Sequence, residues 1–268
     1  MKIVVFDLDE TLGYFTELGI LWDCLNNYLI TKNKQKLNQC DFNAILDLFP
    51  EFIRPNIINI LTYLKNKKKT NCCKKMLIYT NNQGPSEWSR HIISYFENKL
   101  NFKLIDQIIA AFKVYGKRVE VCRTSHDKSH KDLIKCTKMS HNTEICFMDD
   151  SYYPNMTNEN VYYINIKPYF YDLSLDHMLL KLKNSDISKK IIDNEEFENF
   201  EEFMNKEFKR YKYDVVEKNP KEYEVDKVLG KQILIHLQEF FGKTNKGITK
   251  KNVTKRYITK KNITKKNK

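Results

Sequence analysis

Along the first 166 residues the apolar positions follow two patterns that take turns: short unbroken runs, and stretches with apolar residues three and four apart. Unbroken runs suit strands buried on both faces, and the wider spacing suits helices with one apolar face. Runs over Lys2–Phe6 and residues 76–79, 145–148 and 161–166 predict buried strands, with shorter ones at 108–112 and 119–122. Between them, apolar residues at 18, 21, 22, 25, 28 and 29 predict a helix, and 42–49 predict another that Pro50 closes. Pro55 is placed to open a third helix and Ser86 to cap a fourth. Ser129-His130-Lys131-Asp132 has the spacing of a capping box and opens a fifth.

Strands alternating with helices predict an α/β fold with a mostly parallel sheet. After residue 166 the strand pattern stops, and 173–183, 195–213 and 225–241 carry helical spacing. The stripe Phe197, Phe200, Phe203, Met204 and Phe208 is expected to pack onto the domain rather than recruit a partner. The expected organisation is a core over 1–172 with a small helical flap or cap insert at 13–50, an α-helical extension over 173–242, and a tail over 243–268.

Charge changes the picture only at that tail. The net charge is +12, but eleven of the 46 Lys and Arg, and none of the 34 Asp and Glu, fall in residues 243–268. The body is therefore near neutral. The tail repeats a five-residue ITKKN-like unit, too polar to fold alone, and is expected to be disordered. An electrostatic arm for a polyanion such as nucleic acid and a plain solvated tail both fit it.

Seven scattered cysteines with no CxxC pair predict free thiols in a reducing intracellular compartment, cytoplasm or nucleus, and not a secreted protein. Cys146 is expected in the core, and Cys72 and Cys73 in a loop. No apolar run approaches the roughly 20 residues of a membrane span, so no membrane partner is expected. The first ten residues read as a strand, not a signal peptide.

Three of the strand runs end in polar residues: Asp7 and Asp9, Thr80 and Asn81, Asp149 and Asp150. The carboxyl edge of an open α/β sheet is where ligands bind. Lys128 or Lys131, at the start of a helix, adds a base. Clustered carboxylates with few nitrogen or sulfur donors suit Mg²⁺, and a hydroxyl, backbone amides and a lysine suit phosphate oxygens. Other phosphate chemistries lack their parts: no Cys precedes an Arg by six positions, and no G-x-G, P-loop or HExxH is present.

DLDETL after an apolar strand, a strand ending in Thr80, a lysine, and a strand ending in Asp149-Asp150 stand in that order over residues 1–150. Together they resemble the four motifs of the haloacid dehalogenase (HAD) superfamily, which implies a Rossmann-like three-layer core. Arg54-Pro55 and Lys131-Asp132-Leu133 resemble the phosphatases of the RNA polymerase II C-terminal tail, which act on phosphoserine. Thr80-Asn81-Asn82-Gln83-Gly84 is similar to the TNQ-G segment of HAD phosphatases of histidinol phosphate or DNA 3′ ends, from which the extra Asn departs. The Asn/Lys/Ile-rich, glycine-poor composition suggests an AT-rich genome, and the whole chain is similar to HAD-like proteins of large DNA viruses.

The resemblance implies a Mg²⁺-dependent phosphatase. Asp7 would be the nucleophile, forming an aspartyl-phosphate, and Asp9 the acid and base, with a proton kept on it by repulsion between the two. Asp7, Asp9 (through its carbonyl), Asp149 and Asp150 would hold the metal. Thr80, Asn81 and Thr11 would hold phosphate. Lys131 fits the Lys-Asp-Leu pattern, whereas Lys128, just ahead of the Ser129 cap, is placed to reach inward. Glu10 is expected to be a turn residue, and Trp22 and Trp88 to be packing. With only 13–50 free for a cap, the site is expected to be open and to take a phosphorylated macromolecule. A protein phosphoserine or phosphothreonine is preferred to a nucleic-acid 3′ end, and a catalytically silent binding protein is the remaining reading.

Overall fold

The computed structural model describes residues 1–192 and 197–242, so the basic tail lies outside the described residues. Its centre is a five-stranded, all-parallel sheet in the order β3-β2-β1-β6-β7. These strands are β1 (Lys2–Phe6), β2 (Lys75–Tyr79), β3 (Gln107–Ile109), β6 (Glu144–Asp149) and β7 (Val161–Asn165). β1 is the middle strand, with Val5 opposite Leu77 of β2 on one side and Phe147 of β6 on the other. The chain winds outward from β1 in one direction and then resumes on its other side. That makes the β1/β6 boundary the switch point, where a crevice opens at the carboxyl ends of the strands.

Successive strand residues face opposite sides of the sheet. Val4, Phe6, Met76, Ile78, Cys146 and Met148 enter the larger core. It also takes in α1 (Thr16–Thr31), α2 (Gln39–Leu48), α3 (Ile57–Lys69) and α4 (Ser86–Leu100), together with α6 (Leu175–Lys183), α7 (Ser188–Ile191), α8 (Phe197–Arg210) and α9 (Pro220–Gly242). Ile3, Val5, Leu77, Tyr79, Ile145 and Phe147 face the other way, against Leu133 and Ile134 of α5 (His130–Thr137). The result is a Rossmann-like three-layer α/β fold with a helical C-terminal region. The helices of the 13–50 insert join the larger core through Leu18, Leu21, Phe42 and Ile45.

The aromatic stripe of α8 packs as expected: Phe200 and Met204 are fully buried, and Tyr28 of α1 meets the Phe200 ring at 4.9 Å and the Phe203 ring at 5.3 Å. α9 approaches the core even more closely. A Cβ on Gly230 would stand 2.3 Å from the Pro55 carbonyl oxygen, so only glycine fits, and the Asn56 amide donates to the Gly230 carbonyl. No helix among the described residues is long and apolar enough to cross a membrane.

Four sequence expectations are corrected. Residues 119–122 are not a strand: Val119 and Val121 are exposed, and the segment pairs with no strand of the sheet. Instead a two-stranded hairpin forms from β4 (Lys113–Val114) and β5 (Lys117–Arg118), turning on Tyr115 (φ 49°) and Gly116 (φ 77°). Two successive positive φ values give the turn whose twist matches a hairpin. Helix α3 opens after Asn56, itself at φ 69°, rather than at Pro55. Ser86 is the first residue of α4 and not its side-chain cap. The free-thiol expectation also fails in part: Cys122 and Cys136 form a disulfide with a Cα separation of 5.1 Å, while Cys24, Cys40, Cys72, Cys73 and Cys146 are free.

Candidate functional site

The strand ends meet where the pattern placed them. Asp7 follows β1, and its backbone N–H donates to the Met148 carbonyl of β6 at 2.9 Å, which brings it beside Asp149 at the end of that strand. Lys128 is 1% exposed, and its Nζ donates to Asp7 Oδ1 and to Asp149 Oδ2, each at 2.6 Å. Burial alone would depress this ammonium, but Asp7 and then Asp149 outweigh it and hold it above its usual value. Lys131 is exposed on α5 and does not enter the cluster, which corrects the Lys-Asp-Leu expectation. The reason is the cap. Ser129, in extended backbone, accepts from the Asp132 N–H, so the helix starts at His130 and Lys128 precedes it.

Asp7, Asp149 and Asp150 each offer an oxygen within 4.8 Å of one another. Burial pushes the Asp149 carboxyl up, with Lys128 opposing and Asp7 adding to it. Burial and then Asp7 do the same to Asp150. Three carboxylates around a single ammonium leave an excess of negative charge that a divalent cation would neutralise. An all-oxygen donor set of this kind fits Mg²⁺.

Asp9 is half-buried, and its Oδ2 accepts from Asn82 Nδ2 at 2.8 Å. Its pKa is raised to about 6, first by burial and then, after an opposing contribution from Asn82, by Asp7. Burial is therefore a larger cause than the expected repulsion. Glu10 is the turn residue, with φ 59°, an uncommon backbone for a non-glycine. Its carbonyl oxygen accepts from Arg54 Nη2 at 2.5 Å and from the Tyr169 N–H at 2.9 Å. Burial, then Asp150 and Asp9, raise its carboxyl to about 7.

The expected phosphate-binding residues divide. Thr80 is buried at the end of β2, and its hydroxyl accepts from the Asn82 N–H at 3.0 Å. Thr11 is committed elsewhere: its hydroxyl donates to Asp150 Oδ1 at 3.1 Å and accepts from the Asp150 N–H at 3.2 Å. The Asn81 side chain accepts from Arg123 at 2.8 Å and donates to the Tyr153 hydroxyl at 3.1 Å. Both therefore position their neighbours.

Three positioning residues were assigned no role from the sequence. Arg54 is buried under the DLDETL turn, donating to the carbonyls of Thr11 (2.6 Å), Glu10 (2.5 Å) and Lys167 (2.8 Å). Burial lowers its pKa to about 10, with Asp226 of α9 opposing. Arg123 ties the loop before α5 to the sheet, donating to the carbonyls of Thr80, Ala110 and His126. Asn82 bonds Asp9. A buried arginine that caps carbonyls has no periodicity to betray it, so only the Arg54-Pro55 pattern hinted at one of them. Comparison with known protein families and with curated proteins gives no match for this chain.

Proposed function

We propose that the chain is a metal-dependent phosphomonoesterase of the HAD type that uses Asp7 as nucleophile. The observation that carries this reading is the buried Lys128 ammonium shared by Asp7 and Asp149 at the carboxyl ends of adjacent parallel strands. A buried lysine so placed is costly unless its charge is used, and beside a carboxylate nucleophile it would neutralise a transferring phosphoryl group.

Lys128 engages Asp7 through Oδ1, and among the described residues no hydrogen bond engages Oδ2. Asp7 Oδ2 would attack phosphorus as the bond to the leaving alcohol oxygen breaks. Asp9, whose raised pKa favours the protonated form, would donate a proton to that oxygen. Asp9 would then take a proton from water as the water oxygen attacks phosphorus and frees Asp7. The Thr80 hydroxyl, which accepts from the Asn82 N–H, would donate to a phosphate oxygen. Asp7, Asp149, Asp150 and the carbonyl of Asp9 would hold Mg²⁺, which when bound supplies charge neutralisation for the phosphoryl oxygens.

The test is phosphate release from an aryl phosphate with Mg²⁺ or with EDTA, beside Asp7→Asn. Turnover that needs the metal and is absent from the variant is expected. Equal release by both proteins would sink the assignment.

A further inference from the structure

A cavity of about 430 Å³ opens between α1 and the start of α4, with Asp9 on its wall. Asp7 does not line it, so the cavity lies on the side of the acid rather than over the nucleophile. On the phosphatase reading, that is where the alcohol portion of a substrate would sit.

The cavity is lined by aromatic and acidic side chains. Its walls are aromatic, built on Trp22 and Trp88, with Phe42 behind them meeting Trp22 at 5.3 Å and Trp88 at 5.5 Å, both edge to face. Asp23 and Glu87, both exposed, add carboxylates to the Asp9 wall. No Lys or Arg among the described residues lines it. Burial lowers the pKa of its His91 imidazole from the usual value, with Glu87 opposing. Burial raises the Asp23 carboxyl above its usual value, and Lys36, which opposes that shift, is not on the wall. Aromatic faces with carboxylates around them attract a cation and repel a polyphosphate chain.

We propose that this cavity is a subsite for a positively charged group on the alcohol side of the phosphate ester, as in a phosphoserine peptide flanked by lysine or in a phosphorylated amino alcohol. The leaving-group role rests on the phosphatase reading; the preference for a cation does not. A phosphorylated nucleic-acid end, whose remaining charges are all negative, is disfavoured.

The test uses choline and its neutral isostere 3,3-dimethylbutanol, titrated into the full chain carrying Asp7→Asn so that turnover cannot interfere. The chain has two tryptophans, and both line the cavity, so intrinsic fluorescence reads its occupancy. Choline is expected to bind at least ~10-fold more tightly than the isostere. Asp23→Asn with Glu87→Gln should erase that ratio, and Gly19→Leu, which adds a good helix former while filling the cavity, should weaken both ligands. Equal affinity for the two probes, or no fluorescence response to either, would overturn the proposal. With the wild-type chain, kcat/KM for a lysine-flanked phosphoserine peptide and for phosphocholine would distinguish the two sources. Faster turnover of a 3′-phosphorylated oligonucleotide than of either would also overturn it. Choline preference without hydrolysis of any ester would leave the cation site standing and remove the phosphatase reading.

Discussion

At the scale of single residues, the account turns on Lys128. Which of two lysines enters the cluster was legible only through the helix cap: Ser129 fixes the first turn, and the residue before it is aimed at the strand ends. Lys128→Met is expected to lower phosphate release at least ~10²-fold, as losing a preorganised charge does in other enzymes. Lys131→Ala should leave release unchanged and shift stability by less than about 0.5 kcal/mol. Parallel assays of the two variants check this, and loss of activity in the second would contradict it.

Glu17 makes a separate prediction. It is buried, accepts from the Leu173 N–H at 2.8 Å, and burial raises its carboxyl to about 8. The folded chain keeps this proton while the unfolded chain loses it near 4.5, so stability from this group falls as pH rises between those values. Glu17→Gln, which mimics the protonated form, should raise the melting temperature at pH 8 by a few degrees, on a scale of about 2–4 °C per kcal/mol, and change it little at pH 5. Equal effects at both pH values would remove the burial argument.

At the scale of elements, the strands of the sheet were the most legible feature. β1, β2 and β6 are buried on both faces, so each reads as an unbroken apolar run, whereas β7, at the sheet edge, buries only Ile164. The region between β3 and α5 was misread because Val119 and Val121 alternate like a strand yet face outward. Much of what holds that region is polar or covalent: Arg123 donates to the Thr80 carbonyl, Asp132 accepts from the Thr124 N–H, and Cys122 is bonded to Cys136. The seat of α9 was equally hidden, because it depends on one glycine against a carbonyl. Gly230→Ala should destabilise the chain by roughly 1–3 kcal/mol, the range for overpacking. Chemical denaturation would measure it, and an unchanged midpoint would show that α9 is not held at Pro55. Because Arg54 lies between α9 and the DLDETL turn, the same variant should also reduce turnover.

For the whole molecule, the switch point of the sheet gathers carboxylates that lie more than 140 residues apart in sequence, and that gathering was foreseeable from strand ends alone. The supporting arginines and the aromatic cavity were not, because they depend on how helices seat against the sheet. If the cluster holds a divalent cation, Mg²⁺ at 100 times its dissociation constant should stabilise the fold by about 2.7 kcal/mol, and EDTA should reverse it. Asp149→Asn should abolish that response in a thermal melt. A Mg²⁺ effect of the same size in the variant would argue against the site.

The most direct measurement of the central claim is a rapid acid quench of the chain with an aryl phosphate and Mg²⁺, followed by mass analysis of the peptides. Asp9→Asn should be included so that the intermediate is slow to hydrolyse. The account predicts one phosphoryl group on the peptide that contains Asp7, and none in Asp7→Asn. Phosphate release with no adduct at Asp7, or an adduct that persists in Asp7→Asn, would contradict it.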